Sequence, residues 1–94
     1  MIIWAPRALV DIKEAWDFIA VDNEPAADRA AVAINAAGES LAQFPLRGRR
    51  GKRPGTRELV VLGTPYYLVY HIRRIDVEIA RVIHGAQDWP PGRK

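Results

Sequence analysis

The chain has 94 residues, no cysteine, 49% hydrophobic side chains and a net charge of +3. That length is expected to hold one domain, residues 1–94, around a small core. The lack of cysteine excludes a disulfide framework and a thiolate metal site, and it fits a reducing cytoplasm. Charge is uneven along the chain: residues 1–46 carry three basic and seven acidic side chains, residues 47–94 eleven and four. Such asymmetry points to an anionic partner for the second half.

Met1-Ile2-Ile3-Trp4 reads as a first strand, stopped by Pro6. It is not the basic-then-apolar pattern of a leader, and no apolar run approaches the roughly 18 residues that span a bilayer. From Pro6 the period becomes helical. Leu9, Ile12, Trp16 and Ile19 fall on one face, with Asp11, Lys13, Glu14 and Asp17 between them, which predicts a helix over about 6–21 with Trp16 in the core. Asp22-Asn23-Glu24-Pro25 breaks and restarts it. A second helix over about 25–43 would turn Ala27, Ala30, Ile34, Ala37, Leu41 and Phe44 inward, making a helical hairpin that ends at Pro45.

Residues 46–55 form a basic loop, expected to be flexible, in which five of ten residues are Arg or Lys. Three strands follow, near 56–62, 65–73 and 76–83, with turns at Gly63-Thr64-Pro65 and Arg74-Ile75-Asp76. On the middle strand Tyr66, Leu68, Tyr70 and Ile72 share one face, and Tyr67, Val69, His71 and Arg73 the other. On the last strand neither face is purely apolar, so alternation does not say which way Arg81 points. The order is β-α-α-β-β-β: an α+β domain with a helical hairpin on a small, mainly antiparallel sheet.

Taken together these stretches resemble the RelE/ParE superfamily of toxins from type II toxin–antitoxin modules. The residues that carry the likeness are Trp4-Ala5-Pro6-Arg7-Ala8-Leu9, Asn23-Glu24-Pro25-Ala26-Ala27, Leu41-Ala42-Gln43-Phe44-Pro45, Gly55-Thr56-Arg57-Glu58-Leu59, Tyr67-Leu68-Val69-Tyr70 and Arg81 through Trp89. The resemblance implies one of two activities. RelE-like members cut mRNA on the ribosome without a metal; ParE-like members bind and poison DNA gyrase. It also implies a cognate antitoxin whose C-terminal segment wraps the toxin in a hetero-oligomeric complex. No cofactor, metal or membrane partner is implied.

Metal-free RNA cleavage needs a base, an acid and cations for the phosphate. Under that reading Arg57 and Arg81 clamp phosphate, His84 is the acid–base group and Glu58 a second base. Arg47, Arg49, Arg50, Lys52 and Arg53, with Arg57, Arg81 and Trp89, are the candidates for target or nucleic-acid binding. Each has a structural alternative: Arg81 pairs with Glu78, Asp88 or Glu58, His84 caps its strand, His71 is a sheet residue, and the strand tyrosines either stack on a partner from solvent or fill the sheet. Two departures favour the ParE-like, plasmid-stabilisation branch. Gly85 and Ala86 follow His84 where nuclease members often hold a tyrosine, and the basic loop has Lys52 as its only lysine. Arginine cannot act as a general acid or base. Gyrase inhibition therefore stands first, ribosome-dependent mRNA cleavage by Arg57, Arg81 and His84 second, and a non-toxic nucleic-acid-binding module third.

Overall fold

The computed structural model describes residues 1–91. Strand β1 (Ile2–Trp4) leads into helix α1 (Pro6–Ala20), with Pro6 in its first turn, where a missing N–H costs nothing. Helix α2 (Glu24–Glu39) starts at Asn23, whose side-chain oxygen accepts a hydrogen bond from the Ala26 N–H at 3.0 Å. A 3₁₀ turn, Ser40–Ala42, closes the helical segment earlier than its alanine-rich pattern suggests. Then come β2 (Arg49–Arg50), β3 (Arg57–Val60), β4 (Tyr66–Arg73) and β5 (Asp76–His84). The sheet order is β1-β5-β4-β3-β2, with β1 parallel to β5 and every other pair antiparallel.

The α+β architecture is thus a helical hairpin on a five-stranded mixed sheet, and the basic loop supplies a strand the sequence did not suggest. Arg49 and Arg50 pair with Glu58 and Arg57, so the segment expected to be flexible is laddered to its neighbour. The main core lies between helices and sheet, with Ala8, Ala15, Ile34, Leu41, Leu68, Tyr70 and Ile79 fully or nearly buried. A smaller cluster of Tyr67, Val69 and Ile83, joined by Trp89, lies on the opposite face.

A β-bulge decides which way the last strand's side chains point. The register runs Val69↔Arg81 and then Tyr70↔Ile79, leaving Ala80 without a partner. One extra residue reverses the alternation. Val77 and Ile79 before it face the helices together with Val82 after it, while Arg81 and Ile83 turn to the open face.

Two expected core residues are displaced. Leu9 is 55% exposed and Phe44 56% exposed. The buried stripe of α1 is Ala8, Asp11 and Ala15, one position back from the predicted one, with Ile12, Trp16 and Ile19 half-buried at its border. Trp16 reaches out from that border, its indole N–H donating to Asp28 at 2.8 Å. At the far end of α2, Gly38 lets the helix settle on Trp4 and Ile79; a Cβ there would meet the Trp4 indole and stand 2.7 Å from Ile79 Cδ1. Among the described residues, no helix is long and apolar enough to cross a membrane.

Candidate functional site

Two buried carboxylates organise the region where the sequence placed its candidates. Asp11, on α1, is 6% exposed. It lies beside β5 just past the end of β1, where the strand edge has lost its neighbour. There the carboxylate accepts a hydrogen bond from the Val82 N–H at 2.8 Å, standing in for the missing strand. It also accepts from Arg81 Nε at 2.8 Å and Nη2 at 3.2 Å, a two-pronged contact that suits a planar guanidinium. Arg7, one turn back on the helix, comes within 3.3 Å. Arg81 is therefore held by none of the three partners considered for it. Glu78 is taken by His71 across the strands at 2.6 Å, and Glu58, which flanks Val69 of β4 from the side opposite Arg81, is taken by Arg49 and Lys52.

Glu58, on β3, is 3% exposed. It accepts from Arg49 Nη2 at 2.9 Å and from the Lys52 backbone N–H at 3.1 Å, with the Lys52 ammonium 3.8 Å away. Burial pushes its carboxyl up. The Lys52 N–H, the Arg49 hydrogen bond and the two cationic charges outweigh that push and hold it below the ordinary carboxylate value. A carboxylate so stabilised is a weak base. Glu58 closes the basic loop into a compact hairpin.

Trp89 lies between the two carboxylate clusters, on the face they share with Val69. Its ring packs on Tyr67, Val69 and Ile83, and its indole N–H has no acceptor among the described residues. Arg81 Cζ stands 4.9 Å and Arg53 Cζ 5.4 Å from the ring centroid, within cation–π range. Tyr67 is capped likewise by Lys52 at 5.4 Å and Arg49 at 5.9 Å. The strand tyrosines are thus not free for stacking from solvent: Tyr66, Tyr67 and Tyr70 are 6%, 7% and 0% exposed. Tyr70 donates its hydroxyl to the Pro45 carbonyl at 2.7 Å and accepts from the Gly48 N–H at 2.9 Å, pinning the start of the basic loop. Burial raises its pKa, partly offset by the Gly48 N–H and the Arg57 charge.

The two arginines proposed as a phosphate clamp do not meet on one face. Arg57 pairs in register with Tyr70, whose ring is in the main core, and donates to the Gly48 carbonyl at 2.7 Å. Arg81 pairs with Val69, on the other side of the sheet. His84 shares the helix-side face with Tyr66, their rings edge-to-face at 5.2 Å. Its Nδ1 accepts from the Ala86 N–H at 3.0 Å, which puts a neutral imidazole's proton on Nε2. His84 lines a cleft of about 400 Å³ with Asp11, Glu14, Phe18 and Tyr66.

The basic residues divide in two. Arg49, Lys52 and Arg81 have acidic partners, and Arg47 donates to the Ser40 hydroxyl at 2.9 Å. Arg50, Arg53 and Arg57 have no acidic partner among the described residues, and they line a separate cleft of about 540 Å³. The residue that sequence reasoning missed is Asp11, read as part of a polar stripe. Its signal was positional: it stands three residues after Ala8 and four before Ala15, on the small-residue face of α1. No group of three or more metal-ligating side chains occurs among the described residues.

Comparison with known proteins agrees with this framework. The sequence model of the family described as the ParE toxin of type II toxin–antitoxin system, parDE, matches residues 2–89. A protein of Sinorhizobium fredii named as the toxin Y4kP is 43% identical over 87 residues, 93% of this chain and 90% of the relative. Toxin RelE2 of Caulobacter vibrioides is 37% identical over 86 residues, 92% of this chain and 96% of that one. Among solved structures, a chain described as the chromosomal ParDE TA system from P. aeruginosa shares the fold with a TM-score of 0.83 at 23% identity, over 88% of this chain and 92% of that chain. With its strands and helical hairpin matched from residue 2 through residue 89, the chain belongs to the ParE toxin family of type II toxin–antitoxin systems.

Proposed function

We propose that this toxin acts in the cytoplasm as a non-catalytic poison of DNA gyrase and is neutralised by a cognate antitoxin. The observation that carries the reading is what the candidate catalytic groups are bonded to. Arg81 is locked to Asp11, Glu58 is held ionised by Arg49 and Lys52, and the His84 Nδ1 is taken by a backbone N–H. A cleavage mechanism needs a base, an acid and a phosphate clamp converging on one point. These groups instead serve the sheet edge, the hairpin and the turn that follows β5. Gly85 and Ala86 add no acid–base chemistry.

An apolar groove of about 500 Å³ between the helical hairpin and the β3–β4 turn, with Phe18, Ala26, Ala33 and Leu62 along it, supports an antitoxin seat. Phe18 and Leu62 are 72% and 79% exposed, a state suited to a surface that is covered in a complex. The antitoxin segment is further expected to reach the basic loop.

The test is expression in a sensitive bacterial host with and without the adjacent antitoxin gene. Filamentation, double-strand breaks and loss of supercoiling by purified gyrase, all reversed by the antitoxin, are the expected results. The second reading, mRNA cleavage on the ribosome, draws on the relative named toxin RelE2. In-frame mRNA cutting that disappears in His84→Ala, with the fold intact, would replace the gyrase reading with that one.

A further inference from the structure

The hairpin between β2 and β3 holds a charge arrangement that the rest of the fold does not account for. Arg50 and Arg57 are direct partners in the antiparallel ladder. Their side chains leave the same face about 5 Å apart at Cβ, a spacing at which like charges destabilise the pair. Arg57 is steadied by a carbonyl alone. Arg50 has neither an ion pair nor a side-chain hydrogen bond among the described residues. Both open into the cleft of about 540 Å³ over Ile72, Arg53 lines it while resting on the Trp89 ring, and none of its described lining residues is a carboxylate. Lys52 also borders it but is balanced by Glu58.

We propose that this cleft binds the phosphodiester backbone of a nucleic acid. Guanidinium forks match phosphate oxygens two at a time, and an anion between Arg50 and Arg57 turns a repulsive cross-strand pair into a bridged one. Ile72 offers an apolar wall for a sugar. An acidic polypeptide would need apolar anchors as well as carboxylates, and beyond Ile72 those are segregated: Phe18, Phe44, Leu46 and Leu62 are all exposed and none lines this cleft. The site does not depend on which target the toxin poisons.

The test uses the purified full chain in fluorescence anisotropy titrations against a short DNA duplex, a single-stranded RNA and a polyglutamate peptide, each over a range of salt. Each arginine removed from a phosphate contact lowers the slope of log K against log salt by about 0.9, which near 0.1 M salt weakens duplex binding by roughly eightfold. Arg50→Gln and Arg53→Gln are expected to show that loss singly and about its product together. Arg29→Gln, which removes the same charge from an exposed position on α2, is expected to leave the slope unchanged. Unfolding curves control for folding, and Arg50→Gln is expected to melt no lower than the parent. Binding of duplex or RNA with this arginine dependence sustains the proposal and identifies the source of the phosphates. It is overturned if neither nucleic acid binds, if Arg29→Gln weakens binding as much as Arg50→Gln, or if polyglutamate binds as tightly with the same dependence.

Discussion

Asp11 and Glu58 do one job on either side of β4. Each is a buried carboxylate that accepts one backbone N–H and fixes one arginine: Val82 and Arg81 for Asp11, Lys52 and Arg49 for Glu58. They differ in reach. Asp11 ties residues 70 and 71 positions away in sequence, joining α1 to β5; Glu58 ties residues six and nine positions away within one hairpin. The difference teaches how to sort the basic residues of this toxin. Those facing a buried acid belong to the fold. In the basic loop Arg50, Arg53 and Arg57 have none: a carbonyl steadies Arg57 and the Trp89 ring steadies Arg53, but no acid balances their charge, which is left for a partner.

The largest effect is expected at Asp11. Asp11→Ala leaves the Val82 N–H and a mostly buried guanidinium without acceptors, and breaking such a pair from one side costs about 3–5 kcal/mol. Urea unfolding followed by circular dichroism measures it. A loss near zero would mean that water or Glu14 replaces the carboxylate, and Asp11 would no longer be the counterpart of Glu58. A double-mutant cycle sharpens the point. Arg81→Met alone leaves Asp11 its N–H and Arg7, so it should cost less than Asp11→Ala. With both replaced, the uncompensated charge is gone, and the double variant should be more stable than Asp11→Ala alone.

Asp11 also marks where sequence reading loses its grip. The helical hairpin and the order of elements, β2 apart, follow from strong signals: Pro6, Asn23-Glu24-Pro25, the alternation through β4, and the turn at Gly63. The buried face of α1 does not, because the large apolar residues that set the predicted face include Leu9, which is mostly exposed, while the buried stripe is built from Ala8, Asp11 and Ala15. Alanine contributes little to an amphipathic pattern and an aspartate counts against it. Phe44 misleads in the same way at the end of the hairpin. Side chains that a partner would cover look like core in a sequence. The direction of Arg81 was illegible for a different reason. It depends on the bulge at Ala80, and no residue there announces an extra position.

Glu58 should matter less, since a short hairpin has less chain entropy to lose. Glu58→Gln weakens the three charge-assisted hydrogen bonds the carboxylate accepts, and a loss of about 1.5–3 kcal/mol is expected at neutral pH. The pH dependence provides a second check. The folded-state carboxyl lies below its ordinary value, so its stabilisation is present above the unfolded pKa of about 4.3 and is lost as pH falls through the folded value. The gap between the parent and Glu58→Gln should hold from pH 7 to 5 and narrow below about 4. A gap independent of pH would show that the hairpin is closed by the Arg49–Glu58 ladder pairing rather than by the charge.

The smallest effect is the most diagnostic. If the arginines that lack an acid are not part of the fold, then Arg50→Gln should leave stability unchanged or slightly higher, by up to about 0.5 kcal/mol, as the like-charge pairing with Arg57 is removed. Arg49→Gln, its neighbour on the same two-residue strand, should destabilise because Glu58 is left buried without the two donors of the guanidinium. Two adjacent arginines with opposite signs of effect cannot be explained by the charge or the hydrophilicity of the loop. They follow only from which face of β2 each side chain leaves, Arg49 toward a buried acid and Arg50 toward an open cleft. A measured loss of equal size at both positions would make the basic loop a uniform structural unit and remove the distinction on which the assignment of its free arginines rests.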